Sequence, residues 1–465
     1  MIQMKEKTLA SFLQDAIDRA SDNGTAQLIS WTKKIEALSM IGAFKRTEHG
    51  SDNRLFWTNS KQDFILFGLG TTTEVVALEN RFEQLEEKWA ELIESALIYN
   101  PYKKQGTGLT AIGGMSFDPL EAQGELWANF PLTKLTVPEY LIVNEADDYY
   151  ATFNRYVQPE DDVEAILAQV NEVVNLLSTD LDKPTLPKQK IENQIEKDPE
   201  AWKESVQKAV DTIKAKKAQK IVLARELRLK LNNRVQVSSL VEKLLITQPQ
   251  SYIFAYEQGD DCFVGASPER LVQVQGDELL STCLAGTAAR GKDEEEDKQI
   301  ADAELVHNAK NREEHDHVVQ MIKSSISPFC HDINIPNQPT VLTLRNLQHL
   351  YTPVRARLNN GVSVFNLIEV LHPTPALGGV PTEKALQFIR EEEKFTRGWY
   401  GAPIGWLDYN GNSEFAVAIR SGLAQKDEMS LFAGCGVMAD SDPEKEYEET
   451  AVKFLPMLTI LEDNE

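Results

Sequence analysis

The chain has 465 residues, enough to bury a large core and to fill two or three domain-sized units. Hydrophobic residues make up 42% and charged residues 26%, an ordinary balance for a soluble globular protein. The 72 acids against 48 lysines and arginines leave a formal charge of −24, which argues against nucleic acid and anionic membrane surfaces as partners. An anionic ligand would therefore need local cationic groups or a metal. The N-terminal "MIQMKEKTLASFLQDAIDRA" is not a signal peptide, and no apolar run reaches the roughly 20 residues of a membrane helix. Cys262, Cys283, Cys330 and Cys435 are widely spaced with no CxxC, so a reduced cytoplasm is the expected setting.

In chain order, "TNSKQDFILFGLGTTTEV" predicts a strand and a glycine turn, and "ALENRFEQLEEKWAELIESAL" an amphipathic helix. The "GLG" lacks the third glycine of a dinucleotide fingerprint and reads as a tight turn. "STDLDKPTLPKQKIENQIEKD" (178–198) is charged, proline-bearing and poor in apolar residues, and reads as a connector. It separates a weakly patterned N-terminal region, 1–190, from a signal-rich region, 198–460. In the latter, Trp202, Val206, Val210 and Ile213 recur at helical spacing, and "KIVLARELRLKL" reads as a strand opening at Lys220. Strands "SYIFAYE", "DCFVGAS" and "RLVQVQ" follow, then a long helix in "AELVHNAKNREEHDHVVQMIKSSI" and a period-two strand in "HLYTPVRARL". "WYGAPIGWLDYNGNSEFAVAIRSGLA" reads as a hairpin turning at Asn410-Gly411. A last strand reaches Val437, and a helix then begins with a Ser441–Glu444 capping box and Pro443 in its first turn.

Several side chains in these elements carry chemistry. Glu446, Glu449 and Lys453 share one face of the last helix, while Glu444, Lys445 and Glu448 point elsewhere. That face is either a solvated Glu–Lys pair or part of a hard-cation site. Glu314 shares a face with His307, Asn311 and Val318 and offers the same two readings. His315 and His317 diverge on a helix and no HExxH is present, which disfavours zinc. Glu269 follows Ser267-Pro268 just after a strand. It is either a turn carboxylate or a buried acid kept protonated for proton donation. Lys220, at the mouth of "IVLA", is either a snorkelling lysine or a base whose burial favours the neutral amine. The glycine turns in "CLAGTAARG" and "AGCGVM" offer backbone N–H groups to an anion, and Arg420 in "VAIRSG" suits a carboxylate.

Taken in order, "KIVLARE", "GASPERLV", "LAGTAARG", "KNREEHDHVV", "LHPTPALGGVP", "RGWYGAPIGW", "FAVAIRSG" and "AGCGVMADSDPEKEYEETAVK" resemble the chorismate-utilising enzymes over roughly residues 198–458. The resemblance implies an α+β fold, a two-layered antiparallel β-sheet body with helices packed outside, the N-terminal region being part of the same body. Within the family, Lys220 resembles the lysine of isochorismate and salicylate synthases, "LHPTPALGG" resembles the isochorismate synthase form, and the length with its long N-terminal segment resembles the menaquinone-pathway type. A siderophore-pathway isochorismate synthase, a salicylate synthase, an ammonia-dependent anthranilate-type enzyme and a silent chorismate-binding subunit are the alternatives. It implies Lys220 as the base that activates water and Glu269 as the acid. It implies Mg2+ on Glu314 and Glu446 with Glu449 nearby. Chorismate would be anchored by Tyr400, Arg420, Lys453 and the backbone near Gly286, Thr287, Gly434 and Gly436, with His349 as a further site residue. Ala376 stands where anthranilate and salicylate synthases carry a threonine. Asn311 departs from relatives with an acid at that place, which removes one direct metal ligand. No glutaminase subunit is expected.

Overall fold

Strand-forming runs dominate the computed structural model, which describes residues 7–48, 50, 53–178, 189–345 and 347–462. They assemble into two sheets, one of 13 strands and one of 10. Both sheets draw on the whole sequence. In the larger, Arg54–Thr58 pairs with Tyr252–Gln258; in the smaller, Thr110–Met115 pairs with Pro403–Asp408. These pairings are antiparallel, whereas Gln27–Ile35 and Leu97–Tyr99 pair in parallel at the far edge of the larger sheet.

Between the layers, Trp57, Trp127, Phe130, Phe254, Phe263, Trp399 and Trp406 fill one apolar core. Several rings meet edge to face, as Trp127 does with Phe130 and Phe130 with Trp399. The outer faces are closed by helices. Val237–Thr247 and Pro443–Leu461 cover the larger sheet through Leu240, Leu244, Phe454 and Met457. Arg81–Ser95, Ala309–Ile326 and Val364–Leu371 cover the smaller through Leu85, Val318, Ile322 and Phe365. The architecture is α+β, two antiparallel layers with helices outside, as the motifs implied.

Three local readings change. Residues 179–188 of the connector lie outside the described residues, and Ile191–Glu196 is a strand on the edge of Lys220–Leu231. Its exposed, charged side chains are what edge strands carry, so composition alone resembled a linker. The long helix expected over 303–326 is broken. A wider turn spans Ala301–Val306, and the α-helix starts only at Ala309, where the Asn308 side chain accepts from the Asn311 N–H at 3.0 Å. His307 therefore does not share a helical face with Glu314. The last helix is capped by Asp442, which accepts from the N–H groups of Glu444 and Lys445, and not by a Ser441–Glu444 box. That leaves the Ser441 hydroxyl free for other bonds.

Candidate active site

Lys220 opens the strand Lys220–Leu231, next to the glycine-rich end of Glu428–Val437. A Cβ on Gly436 would stand 2.7 Å from Lys220 Cε, so a larger residue there would displace the end of this side chain. The Lys220 ammonium forms an ion pair with Glu314, on the first turns of Ala309–Ile326. Burial pushes Glu314 up, but the pull of Lys220 prevails and holds it below the usual carboxylate range.

Glu269 sits in the turn between Asp261–Ser267 and Arg270–Gln275, only 7% exposed. Its N–H donates to Ser267 Oγ at 3.2 Å and its carbonyl accepts from Val417 N at 3.0 Å, which fixes the turn. Burial pushes its carboxyl up to about 7 against the opposing pull of Arg420 and Lys220. The group thus holds its proton close to neutrality. Arg420 occupies the left-handed region (φ 52°) between Ser413–Val417 and Ser421–Gln425. Its guanidinium enters the cavity with no ion pair among the described residues, and burial lowers its affinity for the proton. Burial also pushes the Tyr400 hydroxyl up to about 12.

His349 lies on Leu347–Leu358, opposite a bulge in Glu278–Ala289 that sets Gly286 at φ 77°. Its Nδ1 is 3.1 Å from Thr287 Oγ1 and 3.3 Å from the Gly286 carbonyl, while its buried Nε2 has no partner among the described residues. Burial, reinforced by Arg420 and Lys453, pushes it down to about 3, so the ring is neutral.

From Pro443–Leu461, Lys453 pairs with Glu449 at 2.6 Å and donates to the Gly434 carbonyl at 2.8 Å. Glu446 accepts from Ser441 Oγ at 2.6 Å, and burial, with the neighbouring Glu449, holds it above the usual range. Glu444 instead pairs with Lys203 at 2.7 Å outside the site. Together with Ala376, all these groups line one cavity of about 270 Å³. Gly286, Thr287, Gly434 and Gly436 supply backbone to its wall.

Sequence reading missed some of the lining. Lys310 stands one turn before Glu314 on the same face, a spacing that was available, and pairs with Asp440 at 2.9 Å. Arg397 lies inside the motif "RGWYG", and its i,i+4 spacing to Glu393 was available too. Ser441 looked like a cap. His315, by contrast, is a structural residue: buried, lowered by burial and bonded to Thr352 Oγ1 at 2.7 Å, it ties its helix to the sheet.

Glu314, Glu446 and Glu449 reach this cavity from two helices. Among the described residues no three metal-binding side chains converge closely enough to enclose an ion by themselves. Mg2+ takes only one or two carboxylates and completes its shell with water and substrate oxygens. A partly buried Glu446 raised beside a second carboxylate is the arrangement a hard cation relieves, so the donor set fits one.

Residues 12–462 match the model of the family described as chorismate binding enzyme. The chain belongs to that family. It is 39% identical over 476 residues to the isochorismate synthase MenF of Bacillus subtilis (strain 168), with 99% of each chain covered. To the salicylate biosynthesis isochorismate synthase of Pseudomonas aeruginosa it is 33% identical over 455 residues, covering 97% of this chain and 94% of the relative. Its fold matches the menaquinone-specific isochorismate synthase MenF from Escherichia coli with a TM-score of 0.79 at 23% identity, over 97% and 100% of the two chains. It matches anthranilate synthase component I from Streptococcus pneumoniae with a TM-score of 0.71 at 21% identity, over 85% and 92%. At these identities the two structures speak for the shared fold.

Proposed function

We propose that this chain is an isochorismate synthase, an isomerase that interconverts chorismate and isochorismate with Mg2+ and feeds menaquinone biosynthesis. The observation that carries this is the pair Lys220 and Glu269, buried in one cavity, with the carboxyl protonated near neutrality. The Lys220 ammonium first gives a proton to solvent, and the neutral amine then takes a proton from the water that attacks C2 of the ring. Glu314 stabilises the ammonium that results. The ring double bonds shift, and Glu269 gives its proton to the departing C4 hydroxyl, so one water enters and one leaves. Protons returned through solvent restore both groups.

Arg420, Lys453 and Tyr400, with backbone at Gly286, Thr287, Gly434 and Gly436, bind the substrate's carboxylates. They supply the local positive potential that a −24 chain lacks. His349 offers its unpartnered Nε2 to the same ligand. Glu314, Glu446 and Glu449 would hold Mg2+, which supplies charge neutralisation and a fixed point for the ring carboxylate. Water is the nucleophile, so no glutaminase subunit belongs to this reading. All four cysteines are buried free thiols, and no helix among the described residues is long and apolar enough to cross a membrane; both support a cytoplasmic setting.

The Pseudomonas relative supports a second reading, in which the same product serves salicylate formation. Chromatography of the products formed from chorismate, with and without Mg2+, tests the assignment. Isochorismate formed only with the metal is the expected outcome. Salicylate with pyruvate, or product only when ammonia is added, would replace it.

A further inference from the structure

The strand that carries Lys220 has an incomplete edge. On one side it is paired with Glu428–Val437 from Ile221 to Lys230. On the other, Gly379–Val380 covers only Lys220 and Ile221, and Ile191–Glu196 covers Leu227 to Leu231. Among the described residues no strand pairs with that edge from Val222 to Glu226, the stretch whose Val222 and Ala224 line the cavity. Buried backbone groups require partners; the Val222 N–H donates to the Gly378 carbonyl at 3.0 Å, and beyond that bond side chains provide them. The Val222 carbonyl accepts from Arg397 Nη2 at 2.8 Å, and the Ala224 N–H donates to Glu393 Oε1 at 2.7 Å. The Ala224 carbonyl accepts from Trp202 Nε1 at 2.9 Å.

Arg397 and Glu393 are themselves an ion pair, 2% and 3% exposed. Arg397 Nε donates to Glu393 Oε2 at 2.8 Å, and Nη1 donates to the Leu377 carbonyl at 3.0 Å, beside Ala376. The guanidinium lies over the Phe117 ring at 4.2 Å, and the Arg397 carbonyl accepts from Tyr400 N at 2.9 Å. The chain just beyond is locked too. A Cβ on Gly398 would stand 2.1 Å from Trp127. One planar fork therefore reaches the Lys220 strand, the Ala376 loop and a carboxylate, and the same residue's backbone holds Tyr400. A lysine ammonium, a point charge on a flexible stem, cannot hold those directions together.

We propose that the Arg397–Glu393 pair is the positioning element of this site: it takes the place of a missing strand at Val222–Ala224 and so fixes Lys220 relative to Ala376 and Tyr400. Arg397 and Glu393 act through these groups, and the inference rests on the role given to Lys220 above. A small displacement of a reacting group from its productive geometry costs about 10²-fold in rate. The pair therefore governs kcat more than KM.

The test uses full-length Arg397→Lys and Glu393→Gln proteins with chorismate and Mg2+. It combines steady-state kinetics with amide hydrogen exchange over 220–224 and 376–378. Arg397→Lys is expected to lose about 10²-fold in kcat with KM within a few-fold of wild type, and to exchange faster in both segments. Glu393→Gln, whose amide oxygen still accepts from Ala224, is expected to lose less. Wild-type kcat in Arg397→Lys, or a KM increase at unchanged kcat, overturns the proposal. If Arg397→Lys does not fold, Glu393→Gln decides by the same criteria. If neither folds, the pair is a folding requirement and the proposal is overturned. Wild-type protein that makes no isochorismate contradicts the functional reading instead, and the exchange rates still judge the strand-edge claim.

Discussion

Two arginines in this molecule, the buried Arg54 and the half-buried Arg420, sit in opposite electrostatic settings. Arg54 is 2% exposed and fully partnered: Nε meets Glu257 at 2.8 Å, and Nη1 meets the Phe44 carbonyl at 2.7 Å and Glu48 at 3.0 Å. Glu48 in turn accepts from Val237 N at 2.9 Å and Ser238 N at 3.0 Å, which ties the N-terminal region to the helix Val237–Thr247. Burial opposes the Arg54 charge, but Glu257 and Glu48 outweigh it and the guanidinium is raised. Arg420 has no ion pair among the described residues and is lowered by burial. Around it stand a carboxyl near 7 and an imidazole with an unpartnered nitrogen. The same residue type is satisfied where it supports the fold and left without an ion pair where the proposed substrate would bind.

Mutations separate the two regions. The largest effect belongs to the acid–base couple. Lys220→Gln and Glu269→Gln should each lose about 10²- to 10⁴-fold in kcat while keeping the wild-type circular dichroism spectrum. Near-native turnover from either would remove it from the chemistry. Arg54→Met leaves the half-buried carboxylates of Glu257 and Glu48 without their cation and should cost about 3 kcal/mol in denaturant unfolding, with unchanged kcat per folded molecule. Arg420→Met should do the reverse: a KM for chorismate raised about 10- to 100-fold, from the loss of a charged hydrogen bond, with a thermal midpoint equal to wild type or higher. A midpoint that falls as far as that of Arg54→Met would make Arg420 structural.

A smaller effect lies in the pH dependence. Glu269 is raised from 4.5 to about 7, so the folded protein holds a proton that the unfolded chain releases. Its contribution is complete below pH 4.5 and is lost as pH rises through about 7. Thermal midpoints of wild type and Glu269→Gln should therefore diverge across that window, the variant being relatively more stable at pH 8. Activity that needs the protonated acid should decline above about 7. Midpoints that stay parallel would contradict the buried, protonated carboxyl.

The catalytic half was legible because its signals are local. A strand that opens on Lys220, a turn that holds Glu269 and a helix face bearing Glu446, Glu449 and Lys453 all follow from period and spacing. That these groups meet was carried by the resemblance, since pairing across two sheets leaves no mark in any short window. Single-residue competition was harder. Asp442 out-competed the adjacent Ser441 for the helix cap, and Asn308 cut a continuous apolar-periodic stretch in two. The Glu393–Arg397 pair is an i,i+4 spacing that the sequence offered, but the bonds of Arg397 to the Val222 and Leu377 carbonyls join distant segments and left no local mark. The edge strand Ile191–Glu196 was hidden by its charge.

The central claim is that Lys220 delivers solvent water to the ring while Glu269 releases the C4 hydroxyl. Turnover of chorismate with Mg2+ in heavy-oxygen water reads this directly, by mass spectrometry and NMR of the product. The account predicts isochorismate carrying one solvent oxygen at C2 in wild type and, from Lys220→Gln, labelled product formed about 10²- to 10⁴-fold more slowly. Isochorismate that retains the original substrate oxygen, or labelled product formed at the wild-type rate by Lys220→Gln, would contradict it.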